Sequence, residues 1–444
     1  MVRKLLCLQY LTAVFFCSVD LSAQTISEIP QNSSVGWPVI HQNDRGTKEA
    51  QASGPVRPVV FDSVESPPPI LMLLDKSYLY VQETLTGEIK RYQKDNLSAG
   101  SVDTFHVGKT WPFSGGGVLD RLGNSWWTGG NYLLRIGSDF KSSTVSANLP
   151  GSDSTIWNQF YNSVNLLPDG VVLVSTMSAD MYLLDSRVDS TGKFPLKEVF
   201  RKTDFSFASV PVFGEEDAYG PRPVTSNNLD FYLASSEALA KVAYDTTTKS
   251  FKREANWVFR NPQNIRNQRS NMAVSNPVVV GNLVCVATEP LVSTEFQKVY
   301  CLNSSDGKIV WTFTPFLTPG ISAAHTLAAI ENKNQLFVIA RSEDDSGGVA
   351  GFNLKTGRKL WPNVALSQIS ESFVIASANN SLYASSINRA TAHFEVNRID
   401  TASGQKTVLQ SFASSEPTRG SLGAIDRDGS LYFATPGGIT RYRD

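Results

Sequence analysis

The amino-acid sequence predicts an all-β protein, an eight-bladed β-propeller closed by pairing of an N-terminal strand with the last blade. Three observations predict it. First, 18% charged residues and weak helical periodicity over 444 residues argue against a helical protein. Second, units of strand, turn and strand recur along the chain. Third, the last unit lacks its outermost strand, which a lone strand near the N-terminus can supply.

Eight turns mark the repeating unit, and successive marks lie 46 to 58 residues apart. Each is followed by a run of β-favouring residues, such as Tyr78–Val81 or Leu336–Ile339. Spacings of this size are typical of four-stranded propeller blades. The marks are Lys76, Asn124, Gly170, Asn228, Asn282, Asn334, Asn380 and Gly429.

A second turn also recurs, with an acidic or amide residue four positions before a glycine. The side chain of the first residue can cap the turn, and glycine takes the positive φ at its end. Two copies are followed, four residues after the glycine, by Trp311 and Trp361, whose rings we expect to pack between neighbouring blades. The copies are Glu83–Gly87, Asn303–Gly307, Asn353–Gly357 and Asp400–Gly404.

The chain divides into three parts. Residues 1–23 have the charged start, apolar run and small-residue cleavage site of a secretory signal peptide. The alternative is an uncleaved membrane anchor, for which the apolar run is short. Residues 24–56 form a polar arm, expected to be mobile, and residues 57–444 a single propeller domain. We therefore expect a secreted or periplasmic monomer with no transmembrane segment.

Two cysteines, Cys285 and Cys301, remain after the signal peptide and lie in consecutive predicted strands. If the intervening loop is centred near Ser293, the two fall opposite each other in an antiparallel pair. They can then form a disulfide in an oxidising compartment, or remain as two buried free thiols. In either case their role is structural, because no metal-ligand spacing is present.

The recurring turns resemble the pyrroloquinoline-quinone-type repeat, which has a small residue, Asp, Thr-Gly-Lys and a Trp on the outer strand. The units with Asn303, Gly307 and Trp311, and with Asn353, Gly357 and Trp361, match it with Asn in place of Asp. The resemblance runs over most of residues 76–444 and is sharpest in units 1, 5, 6 and 7. It implies the eight-bladed propeller of the quinoprotein alcohol dehydrogenase-like superfamily, which includes quinone enzymes and non-catalytic periplasmic scaffolds.

For a quinone enzyme, the resemblance also implies a Ca²⁺ ion held by carboxylate and amide oxygens, an acidic base, and an adjacent cysteine pair over the cofactor. This sequence has no adjacent cysteines and lacks long insertions between units. We therefore expect no cofactor, with pyrroloquinoline quinone and calcium as the alternative. The net charge of −1 provides no basic field for nucleic acid.

Candidate binding residues lie in three polar stretches and at one histidine. In a propeller, the links between blades and the turns of middle hairpins emerge on one face, so these stretches can converge at the channel mouth. The histidine lies where a strand enters the channel and is either a base or a hydrogen-bonded wall residue. Glu343, Asp344 and Asp345 can also hold Ca²⁺. The candidates are Glu215, Glu216, Asp217, Arg222, Arg266, Arg269, His325, Asp344 and Asp345.

The sequence thus predicts a binding or scaffolding module for a protein or a small polar or carbohydrate ligand, without an assembled catalytic site. The alternative is a quinone-dependent dehydrogenase or a sugar-processing enzyme working at the channel mouth. A third hypothesis is carbohydrate recognition by Trp126, Trp127 and Tyr132, although alternation along a strand places at least one of them in the core.

Overall fold

The structure is a computed structural model, and it describes the greater part of the chain from residue 49 onward. The predicted signal peptide, residues 1–23, and the first part of the predicted polar arm lie outside the described residues. The described residues are 49–57, 59–67, 69–83, 88–106, 116–129, 132–146, 163–167, 170–175, 181–200, 224–225, 229–234, 238–260, 277–287, 296–316, 327–340, 348–366, 373–388, 390–414 and 423–444.

The described residues form 34 strands and two short 3₁₀ helices, Leu97–Ala99 and Glu331–Lys333. Before the blades come β1 (Glu49–Ala50) and β2 (Val59–Val64). Blade 1 has β3 (Pro69–Leu74), β4 (Tyr78–Glu83), β5 (Glu88–Gln93) and β6 (Ser101–His106). Blade 2 has β7 (Gly117–Leu119), β8 (Ser125–Gly129), β9 (Tyr132–Ile136) and β10 (Ser143–Val145). Blade 3 has β11 (Ser163–Leu167), β12 (Val171–Ser175), β13 (Met181–Asp185) and β14 (Leu196–Phe200). Blade 4 has β15 (Val224–Thr225), β16 (Asp230–Ala234), β17 (Ala238–Asp245) and β18 (Ser250–Arg260).

The remaining blades follow in the same order. Blade 5 has β19 (Val278–Val280), β20 (Leu283–Ala287), β21 (Val299–Asn303) and β22 (Ile309–Phe313). Blade 6 has β23 (Leu327–Ile330), β24 (Gln335–Ala340), β25 (Gly348–Asn353), and an interrupted outer strand, β26 (Arg358–Lys359) and β27 (Val364–Ala365). Blade 7 has β28 (Phe373–Ala376), β29 (Ser381–Asn388), β30 (His393–Asp400) and β31 (Lys406–Phe412). Blade 8 has β32 (Gly423–Ile425), β33 (Leu431–Thr435) and β34 (Gly438–Arg443).

The eight sheets are arranged in a closed ring, so the predicted propeller is confirmed. Within each blade, strands adjacent in the chain pair antiparallel, from the innermost strand outward. From blade 4 through blades 8 and 1 to blade 3, the innermost strands of neighbouring blades contact one another, and β32 of blade 8 contacts β3 of blade 1. We call the space that these innermost strands surround the hub.

Antiparallel pairing gives the ring two different faces. The turns between first and second strands, and between third and fourth strands, lie at one face, which we call the turn face. The turns between second and third strands and the links between blades attach at the opposite face, the connector face. The predicted marks lie in turns between first and second strands, apart from Asn228, which is outside the described residues.

The recurring glycine turn forms as predicted in blades 5, 6 and 7. In blade 6, the amide of Gly357 donates to the Asn353 carbonyl (2.9 Å), the Asn353 side chain caps the turn, and Gly357 has φ 66°. The first copy is a correction. Residues 84–87 lie outside the described residues, but they join β4 to β5, the second and third strands of blade 1, whereas the other copies join third and fourth strands.

The tryptophans pack against the glycine turn of the following blade, as expected. A Cβ on Gly357 would lie 2.3 Å from the ring of Trp311 in blade 5, and one on Gly404 would lie 2.8 Å from Trp361 in blade 6. The indole N–H of Trp361 also donates to the Thr401 carbonyl of blade 7 (3.1 Å). Only a glycine lets the ring approach so closely, so the turn chemistry and the contact between blades are coupled.

Apolar cores fill the spaces between blades. Phe313 of blade 5 meets Phe352 of blade 6 with ring centroids 4.3 Å apart. Trp126 and Trp127 are completely buried in the core formed by blades 1, 2 and 3. They are therefore unavailable to a carbohydrate, and that hypothesis is wrong for both residues.

The predicted closure is confirmed. Strand β2 pairs antiparallel with β34, with Val60 opposite Tyr442, and supplies the outermost strand of blade 8. Arg441 is buried beneath it, donates to Asp428 (3.3 Å), and lies 5.0 Å from the ring centroid of Phe61. The Asp62 carboxylate accepts an amide hydrogen bond from Leu97 of blade 1. These contacts join the start and end of the chain and leave no gap between blades 8 and 1.

Candidate functional site: the hub and its N-terminal strap

The hub is lined by small and apolar side chains. The eight innermost strands, as far as the structure describes them, carry no charged residue. Valine, leucine, isoleucine and alanine predominate, and Asn165 is a buried polar residue among them. Such a lining suits close approach of the blades and supplies no ionisable group to the hub.

An additional segment lies inside the ring. Residues 49–57, which we call the strap, begin with β1, which pairs parallel with β28, the innermost strand of blade 7. Alternate strap residues Ala50, Ala52 and Gly54 are buried, whereas Gln51 and Ser53 are exposed. Part of the predicted mobile arm is thus held in place. Glycine is required at position 54, because a Cβ there would lie 2.3 Å from the Tyr383 hydroxyl.

The strap is held to blade 7 by hydrogen bonds along its length. The carbonyl of Ala50 accepts from the amide of Ser377 (3.0 Å). Gly54 makes two bonds with the side-chain amide of Asn379, one as donor (3.2 Å) and one as acceptor (2.5 Å). The Tyr383 hydroxyl donates to the Pro55 carbonyl (2.8 Å). Ser377 and Asn379 belong to a turn of the turn face, so the strap lies at that face of blade 7.

At its two ends, the strap reaches neighbouring blades. The carboxylate of Glu49, 7% exposed, accepts from the amide of Glu331 in blade 6 (3.2 Å). The amides of Val56 and Arg57 both donate to the side chain of Asp444 (2.8 Å each). Glu49 therefore brings a carboxylate to the edge of a hub whose described strands have none.

The nine binding residues predicted from the sequence all lie outside the described residues. Their segments join strand ends at the connector face; residues 201–223, for example, link β14 to β15. Their convergence at the hub mouth remains a prediction. The sequence analysis did not predict the strap, although its alternation of small and polar residues could have indicated a strand with one closely packed face.

Cys285 and Cys301 form the predicted disulfide. Cys285 and Cys301 stand directly opposite each other on β20 and β21, with Cα atoms 4.1 Å apart. They are buried in the apolar core between blades 5 and 6. The bond therefore stabilises a blade and does not face the hub.

The described residues do not fit a pyrroloquinoline quinone and calcium site. Among them, no three His, Cys, Asp or Glu side chains lie close enough together to hold a metal ion. The innermost strands offer no carboxylate, and the disulfide joins separate strands instead of adjacent residues. Glu49 brings a carboxylate to the hub edge, and its Oε2 already accepts a backbone hydrogen bond.

Several carboxyl groups with shifted pKa values lie in the blades. Burial tends to raise the pKa of Asp185, but hydrogen bonds from Arg187 (2.8 Å) and Lys197 (2.9 Å) outweigh burial and hold the pKa well below its usual range. Burial raises the pKa of Asp120, which caps a turn and accepts from the indole of Trp126. Both carboxyl groups make hydrogen bonds within turns at the turn face, so their pKa shifts have a structural cause.

The fold is similar to the folds of solved alcohol dehydrogenases. A europium-containing methanol dehydrogenase matches with a TM-score of 0.62 and 10% identity, over 90% of this chain and 89% of that one. A quinohemoprotein alcohol dehydrogenase from Pseudomonas putida HK5 matches with a TM-score of 0.63 and 8% identity, over 92% and 80%. The predicted resemblance to eight-bladed quinoprotein alcohol dehydrogenase-like propellers is confirmed at the level of the fold.

A family model and a curated relative each match part of the sequence. The PQQ_2 family, described as outer membrane protein assembly factor BamB, matches residues 263–432. A tetrathionate hydrolase from Acidithiobacillus ferrooxidans is 27% identical over 137 residues. That match covers 26% of this chain and 26% of the relative, so it spans about a quarter of the relative's length. No helix among the described residues is both long and apolar enough to cross a membrane.

Proposed function

We propose that the protein is a secreted or periplasmic propeller that binds a partner, a protein or a small polar or carbohydrate ligand, through its connector face. The observation that supports this best is the asymmetry of the hub. The strap lies across the turn face from blade 6 to the end of blade 8. The segments with the candidate charges attach at the opposite face, so a partner meets them there.

The rigidity of the ring also supports a binding role. Closure by β2 and Trp contacts between blades fix the strand ends from which the connectors emerge. Binding residues are commonly placed on loops held by such a scaffold. The disulfide fits the oxidising compartment that this proposal requires.

A pair of matched variants tests the proposed face. Arg266→Ala/Arg269→Ala removes two positive charges from a connector, and Lys308→Ala/Lys355→Ala removes two from exposed positions on the turn face. Both pairs change the net charge equally. We expect the arginine variant to lose partners recovered by wild-type protein from an extracytoplasmic extract, or signal on a glycan array, and the lysine variant to retain them. Equal recovery by both contradicts the proposal.

An enzyme is the second candidate, because the similar structures include alcohol dehydrogenases and the sequence relative is a hydrolase. Incubation with pyrroloquinoline quinone and Ca²⁺, followed by dye-linked oxidation of alcohols and sugars, tests the dehydrogenase. Turnover that requires the added cofactor replaces the scaffold proposal. Hydrolysis of tetrathionate or of a sugar substrate without added cofactor supports the hydrolase.

A further inference from the structure

The innermost strands direct their side chains toward the neighbouring blades and present a peptide edge to the hub. On β28, Val374 and Ala376 belong to the core with blade 8, whereas Ile375 belongs to the core with blade 6. Strand β23 of blade 6 shows the same division, with Leu327 in the core with blade 5 and Ala328 in the core with blade 7. Because alternate side chains serve the two faces of the sheet, main-chain N–H and C=O groups are left for the hub.

The peptide edge of β28 is buried and requires hydrogen-bond partners. Val374, Ile375 and Ala376 are each at most 1% exposed. Strand β29 pairs with one edge of β28, and on the other edge the described part of the strap pairs only with Ile375 and Ala376. Buried main-chain groups are almost always paired. The rest of the hub edge, at Phe373 and Val374, therefore favours a further length of extended chain.

The direction of β1 identifies the segment that can supply this chain. Strand β28 runs from the connector face, where the link from blade 6 attaches, to the turn face, where Ser377 follows it. Strand β1 is parallel to β28, with Glu49 opposite Ile375 and Ala50 opposite Ala376. The chain before Glu49 therefore leads along the hub edge of β28 toward the connector face.

The sequence before Glu49 suits a peptide edge. Residues 43–48 are Asn-Asp-Arg-Gly-Thr-Lys, and all but the glycine have side chains that donate or accept hydrogen bonds. Such side chains would be unfavourable in an apolar core, but they can bond to main-chain groups that face the hub. Two extended residues, at about 3.3 Å each, are enough to cover Val374 and Phe373.

From this geometry, we propose that the hub edge of blade 7 is a docking site for residues 43–48 of this chain. These residues continue β1 parallel to β28, pair with Val374 and Phe373, and bring residues 24–42 out at the connector face. A partner bound at that face meets this part of the arm beside the connectors, a consequence that rests on the proposed function. The docking itself does not depend on a partner.

Pairing across blade 7 defines the expected position of residue 43. Successive pairings through β28, β29 and β30 place Glu49 level with Ile399. Strand β30 runs in the same direction as β1, so residue 43, six positions before Glu49, lies level with His393 when the arm is extended. His393 is at the connector-face end of β30.

Distances between pairs of spin labels test this position in the full chain. Asn43→Cys is combined with Thr391→Cys or with Ala402→Cys, exposed positions just beyond the two ends of β30. All cysteines outside the buried disulfide are replaced by serine. With strands about 4.8 Å apart and a rise of about 3.3 Å per residue, we expect about 16 Å between positions 43 and 391 and about 33 Å between positions 43 and 402.

A matched pair of leucine variants tests whether the strap holds the arm in place. Ala50→Leu enlarges a 5% exposed residue in the core with blade 8, so it should displace the strap and expose the Ser377 amide to hydrogen exchange. The distance between positions 43 and 391 should then become longer and broader. Gln51→Leu introduces the same side chain at the neighbouring exposed position and should leave both distances unchanged.

The distances in the unaltered strap decide the direction of the arm even if Ala50→Leu does not fold. A distance from position 43 to 391 that equals or exceeds the distance to 402 overturns the proposal, because the arm then does not lead to the connector face. Loss of the short distance on dilution with excess unlabelled protein also overturns it, since a second copy then supplies the arm. A short distance that survives displacement of the strap overturns it as well.

Discussion

We expect a single methyl group, added at Gly429, to displace the strap. A Cβ on Gly429 would lie 2.1 Å from the Ser53 carbonyl oxygen, far inside a normal contact of about 3.5 Å. Gly192 provides a matched control. Its φ is 75° against 84°, its amide also donates to an aspartate three residues earlier, and a Cβ there meets nothing within 4 Å.

Gly192→Ala should therefore cost only the left-handed backbone strain, about 1–2 kcal/mol. Gly429→Ala should cost this amount plus about 1–3 kcal/mol for the forced displacement, for a total of about 2–5 kcal/mol. Urea unfolding of both variants, followed by tyrosine and tryptophan fluorescence, measures the difference in the free energy of unfolding.

Hydrogen exchange identifies the segment that moves. The amides of Ser377 and Ala378 donate to the strap carbonyls of Ala50 (3.0 Å) and Ala52 (3.3 Å). In Gly429→Ala, these two amides should lose protection while the strands of blade 8 keep theirs. Equal losses of stability in the two glycine variants, or unchanged exchange at Ser377 and Ala378, would refute the account of the strap as a tightly packed segment.

Three further predictions follow from the blades. Gly357→Ala should cost about 2–5 kcal/mol and shift Trp311 emission to the red, because the new methyl group displaces the ring; unchanged emission contradicts the contact. Replacing Cys285 and Cys301 by serine should cost about 3 kcal/mol in urea unfolding, whereas equal midpoints would show that the disulfide adds nothing. Because the pKa of Asp185 is depressed in the folded state, its carboxylate contributes stability above about pH 4 that is lost as pH falls through the folded-state pKa. Asp185→Asn should therefore make the free energy of unfolding fall less steeply with decreasing pH than in wild type. An unchanged slope would show that the pKa shift is absent.

Local sequence patterns were enough to predict the ring. Turn residues such as Asn353 and Gly357 contact each other within four positions of the sequence. Side chains on one face of a strand are two positions apart. Both patterns can therefore be recognised in a short stretch of sequence. The pairing of Cys285 with Cys301 needed only the register of one hairpin. Closure was predictable because a missing outer strand has one evident substitute.

The contacts of the strap and the burial of polar residues between blades could not be predicted from short stretches of sequence. Gly54 and Asn379 are 325 residues apart, and nothing near Gly54 indicates that partner. The stretch His393–Asn397 alternates like a strand with a solvated face, yet blade 6 covers that face and buries Glu395 and Asn397. By itself, the sequence determined the number of blades, their turns, the disulfide and the closing strand, because those depend on near neighbours. Only the tertiary structure decided which polar residues are buried, because burial depends on whichever distant segment packs against them.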